Sequence, residues 1–138
     1  MKALRDRLLW AGIGVGLKIL ALALRRAGRK DPWLGRALAG FDGVYRFQNG
    51  DGSRGHFLFF DGPRVRAGRV APRPPDFTFT LYHPESLKLR GPEAVLEVVI
   101  ANQIGQSGNM YYLYRFGFIM SLLERRLRYP RQGEAAYE

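Results

Sequence analysis

Side chains able to do chemistry are sparse in this chain. His56 and His83 are its only histidines, 27 positions apart with no acid adjacent to either. There is no cysteine, which excludes disulfides, thiolate zinc sites and cysteine nucleophiles. Ser53 in Gly-Ser-Arg-Gly and Ser107 in Gln-Ser-Gly sit in turn-like contexts, without the strand-to-helix elbow that raises a hydrolase serine. No set of His, Asp and Glu has the spacing of metal ligands. The sequence therefore predicts no catalytic residue, no metal and no cofactor: a protein that binds rather than an enzyme.

What the chain has in quantity is apolar surface, with 46% hydrophobic and 13% aromatic residues in 138. That length suits one domain of ordinary burial. The formal charge of +10 is uneven, since residues 1–36 hold nine Lys and Arg against Asp6 and Asp31 alone. Those cations flank an apolar stretch at 8–24, which as a helix spans about 25 Å, short of the ~30 Å hydrocarbon core. On a helical wheel Arg7, Gly14, Lys18 and Arg25 share one narrow strip, opposite Leu9, Ile13, Leu17, Leu20 and Leu24. Two readings stand. In one, the helix lies in the headgroup plane with that apolar flank in the acyl boundary and Arg7, Lys18, Arg25, Arg26 and Arg29 on anionic lipid. In the other, it is a docking helix with a snorkelling Lys18. Lys18 interrupts the apolar region and two arginines follow Leu24, so a secretory signal is not expected.

Asp31-Pro32 ends that helix, and past Gly40 the pattern changes to alternation broken by turn dipeptides. Strands are predicted at 44–48, 56–60 and 65–70, joined through Asn49-Gly50-Asp51-Gly52 and Asp61-Gly62 as an antiparallel meander. After the stiff Ala71-Pro72-Arg73-Pro74-Pro75, residues 77–82 alternate so regularly that Phe77, Phe79 and Leu81 must share one buried face. A helical step at 84–87, a helix at 94–103 and an edge strand at 104–109 are expected next. A last helix, 110–128, carries two apolar stripes. Tyr112, Phe116, Ile119, Leu123 and Leu127, edged by Leu113 and Met120, should face the core. Tyr111, Tyr114, Phe118 and Leu122 form a second flank, to be covered by the N-terminal helix or by a ligand, a membrane, a protein partner or another copy of the chain.

The order of these features resembles the sterol carrier protein type 2 (SCP2) lipid-binding domain. An Asp leads an alternating apolar and Thr strand at Asp76-Phe77-Thr78-Phe79-Thr80-Leu81, a helical step follows at 84–87, and a strand ending in Gly-Asn precedes the last helix at 104–109. The likeness covers about residues 36–127, which divides the chain into a basic apolar helix, 1–35, and a lipid-binding domain, 36–138. Gln103 and Gln106 stand where the family often has lysines, and the ending Ala-Ala-Tyr-Glu is not a peroxisomal address. The resemblance implies an α+β fold: a mostly antiparallel five-stranded sheet covered on one face by helices, with an apolar tunnel for a lipid or isoprenoid between the layers, and quinone biosynthesis as one setting.

Apolar walls suffice for such a ligand, because each CH2 leaving water contributes roughly 0.8 kcal/mol. The candidate walls are Phe57, Phe59, Phe79, Leu81, Leu96, Ile100, Leu113, Phe116 and Met120, each of which a plain hydrophobic core would explain as well. Nucleic acid is not expected, since the cations cluster on the apolar helix instead of tracking an aromatic strand face. The function expected is carriage of a hydrophobic molecule by a cytoplasmic protein, peripheral at a membrane. The alternative is an interaction module in a membrane-associated complex.

Overall fold

The computed structural model describes residues 2–81 and 105–128. His83, Leu96, Ile100 and the helical segments expected at 84–87 and 94–103 lie outside the described residues. The described elements are α1 (Lys2–Lys30), α2 (Pro32–Leu38), β1 (Asp42–Asn49), β2 (Gly55–Asp61), β3 (Arg64–Gly68), β4 (Phe77–Leu81), β5 (Gly105–Gly108) and α3 (Met110–Arg128). The strands form one five-stranded sheet in the order β3-β2-β1-β4-β5.

The break at Asp31-Pro32 makes a second helix as well as ending the first. Asp31 donates its backbone N–H to the Ala27 carbonyl at 2.8 Å, closing α1, and its carboxylate accepts from Trp33 and Leu34 at 3.0 and 3.3 Å, capping α2. Proline at the first helical position needs no donor there. The seven residues of α2 are too few to display a period, so the sequence pattern does not predict it.

β1, β2 and β3 form the expected antiparallel meander. Its first turn is held by Asn49, Asp51 and Ser53: Arg54 N–H donates to Asn49 Oδ1, and Ser53 N–H to Asp51 Oδ1. β4 then crosses to the other side of β1 and pairs with it in parallel, which alternation alone does not foretell. Asp76 fixes that junction. Its carboxylate accepts from Val44 N–H at 2.8 Å and pairs with Arg73 at 2.7 Å, and its N–H reaches the Val44 carbonyl at 2.8 Å.

The register places Tyr45, Phe47, His56, Leu58, Phe60, Val65, Phe77, Phe79 and Leu81 on one face of the sheet, and all but His56 are buried. Both long helices pack on that face. α1 reaches β2 through His56, whose Nε2 donates to the Trp10 carbonyl at 2.8 Å, and α3 reaches β1 through Tyr45, whose hydroxyl donates to the Tyr112 carbonyl at 2.6 Å. Trp10, Ile13, Leu17, Leu20 and Leu24 of α1 share a single core with Phe116, Ile119, Met120 and Leu123 of α3. Leu127, assigned by its spacing to the core stripe, lies in the last turn of α3 and is instead exposed.

β5 ends where the backbone is tightest. Gly108 has φ 130°, and a Cβ there would stand 2.5 Å from the Asp76 carbonyl oxygen. Gly108→Ala should therefore lower stability by about 1–3 kcal/mol through backbone strain alone, with the clash adding to it. Gly52→Ala, at φ 76° and with no atom closer than 3.5 Å to the new Cβ, should cost less. Urea midpoints of the two variants check this ordering, and equal losses would contradict it.

Candidate functional site: the interlayer between sheet and helices

β4 and α3 bring four of the nine wall candidates together. Phe79, Leu81, Phe116 and Met120 are all buried in the interlayer, and the rings of Phe79 and Phe116 lie 5.2 Å apart. Leu113 is half-buried at its edge. Phe57 and Phe59 do not join them. β2 turns Leu58 and Phe60 inward, so Phe57 and Phe59 lie on the outer face beside Arg46 and Val44, their register partners on β1. They cannot wall a space between sheet and helices, and the Arg46 guanidinium stands 5.8 Å from the Phe57 ring. Leu96 and Ile100 lie outside the described residues.

The residue at the centre was not among the candidates. Tyr45 is fully buried, with its ring 5.0 Å from Phe116, 6.2 Å from Phe79 and 5.6 Å from Phe60. Its hydroxyl is a polar group set among aromatic rings, satisfied by the Tyr112 carbonyl. Burial, with help from the nearby Asp76 carboxylate, pushes the phenol well above its ordinary value of 10.0. The signal lay in the alternation of β1, which puts Tyr45 and Phe47 on the face that Phe77 and Phe79 share.

Of the polar residues weighed for chemistry, His56, Ser53 and Ser107 are occupied with structure. His56 spends Nε2 on the Trp10 carbonyl, its ring is stacked 6.2 Å from Trp10, and burial holds its pKa below the ordinary histidine value, with Arg69 and Lys18 adding to the effect. Ser53 is bonded within the β1–β2 turn, and Ser107 pairs with Thr78 across β5 and β4. Among the described residues no three of His, Cys, Asp and Glu stand together as metal ligands do.

The α1 cations lie at the surface: Arg7, Lys18, Arg26 and Arg29 are exposed and Arg25 is half-exposed. The apolar flank is another matter. Ile13, Leu17, Leu20 and Leu24, expected to meet lipid in the headgroup-plane reading, are core residues, and Leu9 is half-buried. The exposed apolar side is instead Leu4, Leu8, Val15, Ile19 and Leu22. On α3, α1 leaves Tyr111, Tyr114 and Phe118 uncovered, whereas Leu122 is half-buried against the core.

No protein-family model matches the chain, and no curated protein sequence does. Among solved structures it is similar to a protein described as "UbiJ-SCP2 Ubiquinone synthesis protein", with a TM-score of 0.54 and 22% identity over 86% of this chain and 97% of that one. The fold is SCP2-like. Two looser similarities add no weight: the apo form of sterol carrier protein 2 from Yarrowia lipolytica (TM-score 0.36, 18% identity, 80% of this chain and 85% of that one) and the stereoselective inverting sec-alkylsulfatase Pisa1 from Pseudomonas sp. (0.41, 14%, 64% and 14%).

Within the SCP2-like fold, the residues that carried the resemblance have a mechanical role. Asp76 ties β4 to β1, Gly108 lets β5 approach Asp76, and Asn109 caps α3, accepting from Tyr111 N–H through its side chain at 2.9 Å.

Tyr45 gives the interlayer an alkaline limit. Its value in the fold is raised above that of the unfolded chain, so the stability it contributes is complete below pH 10 and is lost as pH climbs beyond, at up to about 1.4 kcal/mol per unit. Denaturant midpoints between pH 8 and 11.5 should fall on the alkaline side in the wild type. In Tyr45→Phe the fall should be shallower.

Proposed function

We propose that this chain binds a hydrophobic molecule, a lipid or an isoprenoid such as a quinone intermediate, between its sheet and its helices, and carries or presents it at an anionic membrane surface without catalysis. The observation that supports this most strongly is the composition of the interlayer. A five-stranded sheet turns an almost wholly apolar face toward two helices whose inward sides are also apolar. Such a boundary can admit an apolar chain at little polar cost, and Met120, unbranched and polarizable, adapts to irregular shapes. Leu113 and Tyr112, half-buried at the start of α3, are where an incoming chain would first meet the layer. The SCP2-like fold is consistent with this reading, as is the ubiquinone synthesis protein with which it is shared.

The membrane surface enters through α1. Leu4–Lys30 is long and apolar enough to cross a bilayer by length and composition. Its inward side is committed to the domain core, however, so the helix would lie along the surface. Leu4, Leu8, Val15, Ile19 and Leu22 would meet the acyl boundary, and Arg7, Lys18, Arg25, Arg26 and Arg29 the headgroups. Each such cation is worth about 1 kcal/mol near an anionic leaflet.

Native mass spectrometry of the purified full chain, with solvent extraction of what leaves it, tests the carrier reading. An adduct of lipid or isoprenoid mass is expected. A bare mass that persists after incubation with mixed lipids and quinones would overturn the reading and leave the interaction module in its place. Membrane attachment has a separate test. Lys18→Glu with Arg26→Glu, both at exposed positions, should weaken partitioning onto phosphatidylglycerol vesicles by tenfold or more while leaving thermal stability close to wild type. Undiminished partitioning would remove the electrostatic contribution from the account.

A further inference from the structure

α3 is apolar on two sides, and only one is used by the core. Phe116, Ile119, Met120 and Leu123 face the sheet, while Tyr111, Tyr114 and Phe118, on the far side, are 54%, 70% and 52% exposed. α1 repeats the arrangement, with Val15 and Ile19 outward at 57% and 51% and Leu17 and Leu20 inward. Both helices rest on the same sheet face, as the contacts of His56 with Trp10 and of Tyr45 with Tyr112 establish. The side of each helix that points away from the sheet therefore points to the same side of the molecule.

We propose that this shared outward side is a two-footed membrane-docking surface: α1 supplies an aliphatic strip and α3 an aromatic one, so that the protein lies with its helix layer on the bilayer and the outer sheet face, with Phe57, Phe59 and Arg66, turned toward water. The inference rests on the membrane-surface reading above and adds to it the second foothold and the orientation.

The residue types favour lipid as the occupant. Tyrosine has an apolar body and a hydrogen-bonding tip, which suits the headgroup level, and Phe118 reaches the boundary below it. Arg125, seven residues after Phe118, continues the same side of α3 and is exposed. Lys18 and Arg29 border the α1 strip, and no acidic residue falls within either strip. The pattern of apolar centre, aromatic tips and cationic border complements an anionic leaflet.

Because the chain has no cysteine, single positions can be labelled cleanly. Ile19→Cys, Tyr114→Cys and Arg66→Cys, each carrying a polarity-sensitive fluorophore, would be mixed with phosphatidylglycerol vesicles, with quencher groups placed along the acyl chains. A blue shift with acyl-chain quenching at positions 19 and 114, and neither at 66, is the expected result. A shift at 19 alone would overturn the second foothold and leave α1 as the only contact. No shift at 19 or 114, in protein that still yields an apolar adduct by mass spectrometry, would overturn membrane docking altogether while the carrier reading survives. A shift at 114 that grows with protein concentration in the absence of vesicles would assign the aromatic strip to a second copy of the chain, and would likewise overturn the proposal. Tyr114→Ala with Phe118→Ala, in which the core contacts of α3 are untouched, should weaken vesicle partitioning about tenfold. Unchanged partitioning would count against the second foothold.

Discussion

Tyr45 holds the two layers of this protein together. Its ring is in contact with Phe60, Phe79 and Phe116, and its hydroxyl donates to the first turn of α3. A buried hydroxyl left without a partner would cost about 1–3 kcal/mol, so the position of α3 over β1 and β4 is selected by this hydrogen bond as well as by area. Phe116, Ile119, Met120 and Leu123 of α3 then share one core with α1, which has its own tie to the sheet at His56.

α1 and α3 are each apolar on two sides, one in the core and one exposed. In an ordinary two-layer domain the side of a helix that faces away from the sheet is polar, because only the inward stripe needs burial. α1 and α3 depart from that rule in the same direction, and their cations sit at the borders and ends of the strips. The proposed ligand layer and the proposed membrane-docking surface are then back to back across one layer of helices. A hydrophobic molecule passing between membrane and interlayer would cross only a helix boundary and would not be released into water. Among the described residues, Asp31, Asp51 and Asp76 are spent on a cap, a turn and a strand tie.

Much of this was legible from the residues. Alternation with period two located the strands, and at Phe77-Thr78-Phe79-Thr80-Leu81 it also gave the buried face, because apolar and polar positions separate cleanly there. Phe57-Leu58-Phe59-Phe60 has apolar residues at both parities, so nothing local decides which set faces inward; the larger aromatic pair drew the choice, and the hairpin register decided for Leu58 and Phe60. α1 posed the same problem at period 3.6: apolar residues surround it, so its pattern left a headgroup-plane and a docking reading open, and the structure seats Ile13, Leu17, Leu20 and Leu24 in the core, as the docking reading has it. The parallel return of β4 depends on Asp76 meeting Val44 across 32 positions, and α2 is shorter than two full turns; neither leaves a periodic trace. The candidate positions Leu96 and Ile100 belong to the span the described residues omit.

The most direct test of the account is where an apolar molecule touches the protein. Full-length protein would be loaded with a fatty acid carrying a diazirine in its acyl chain, irradiated, and digested for peptide mapping. The account predicts modification on β4 and on the inward side of α3, around Phe79, Leu113, Phe116 and Met120. Modification concentrated on the outer sheet face, at Phe57 and Phe59, with those positions untouched, would contradict it.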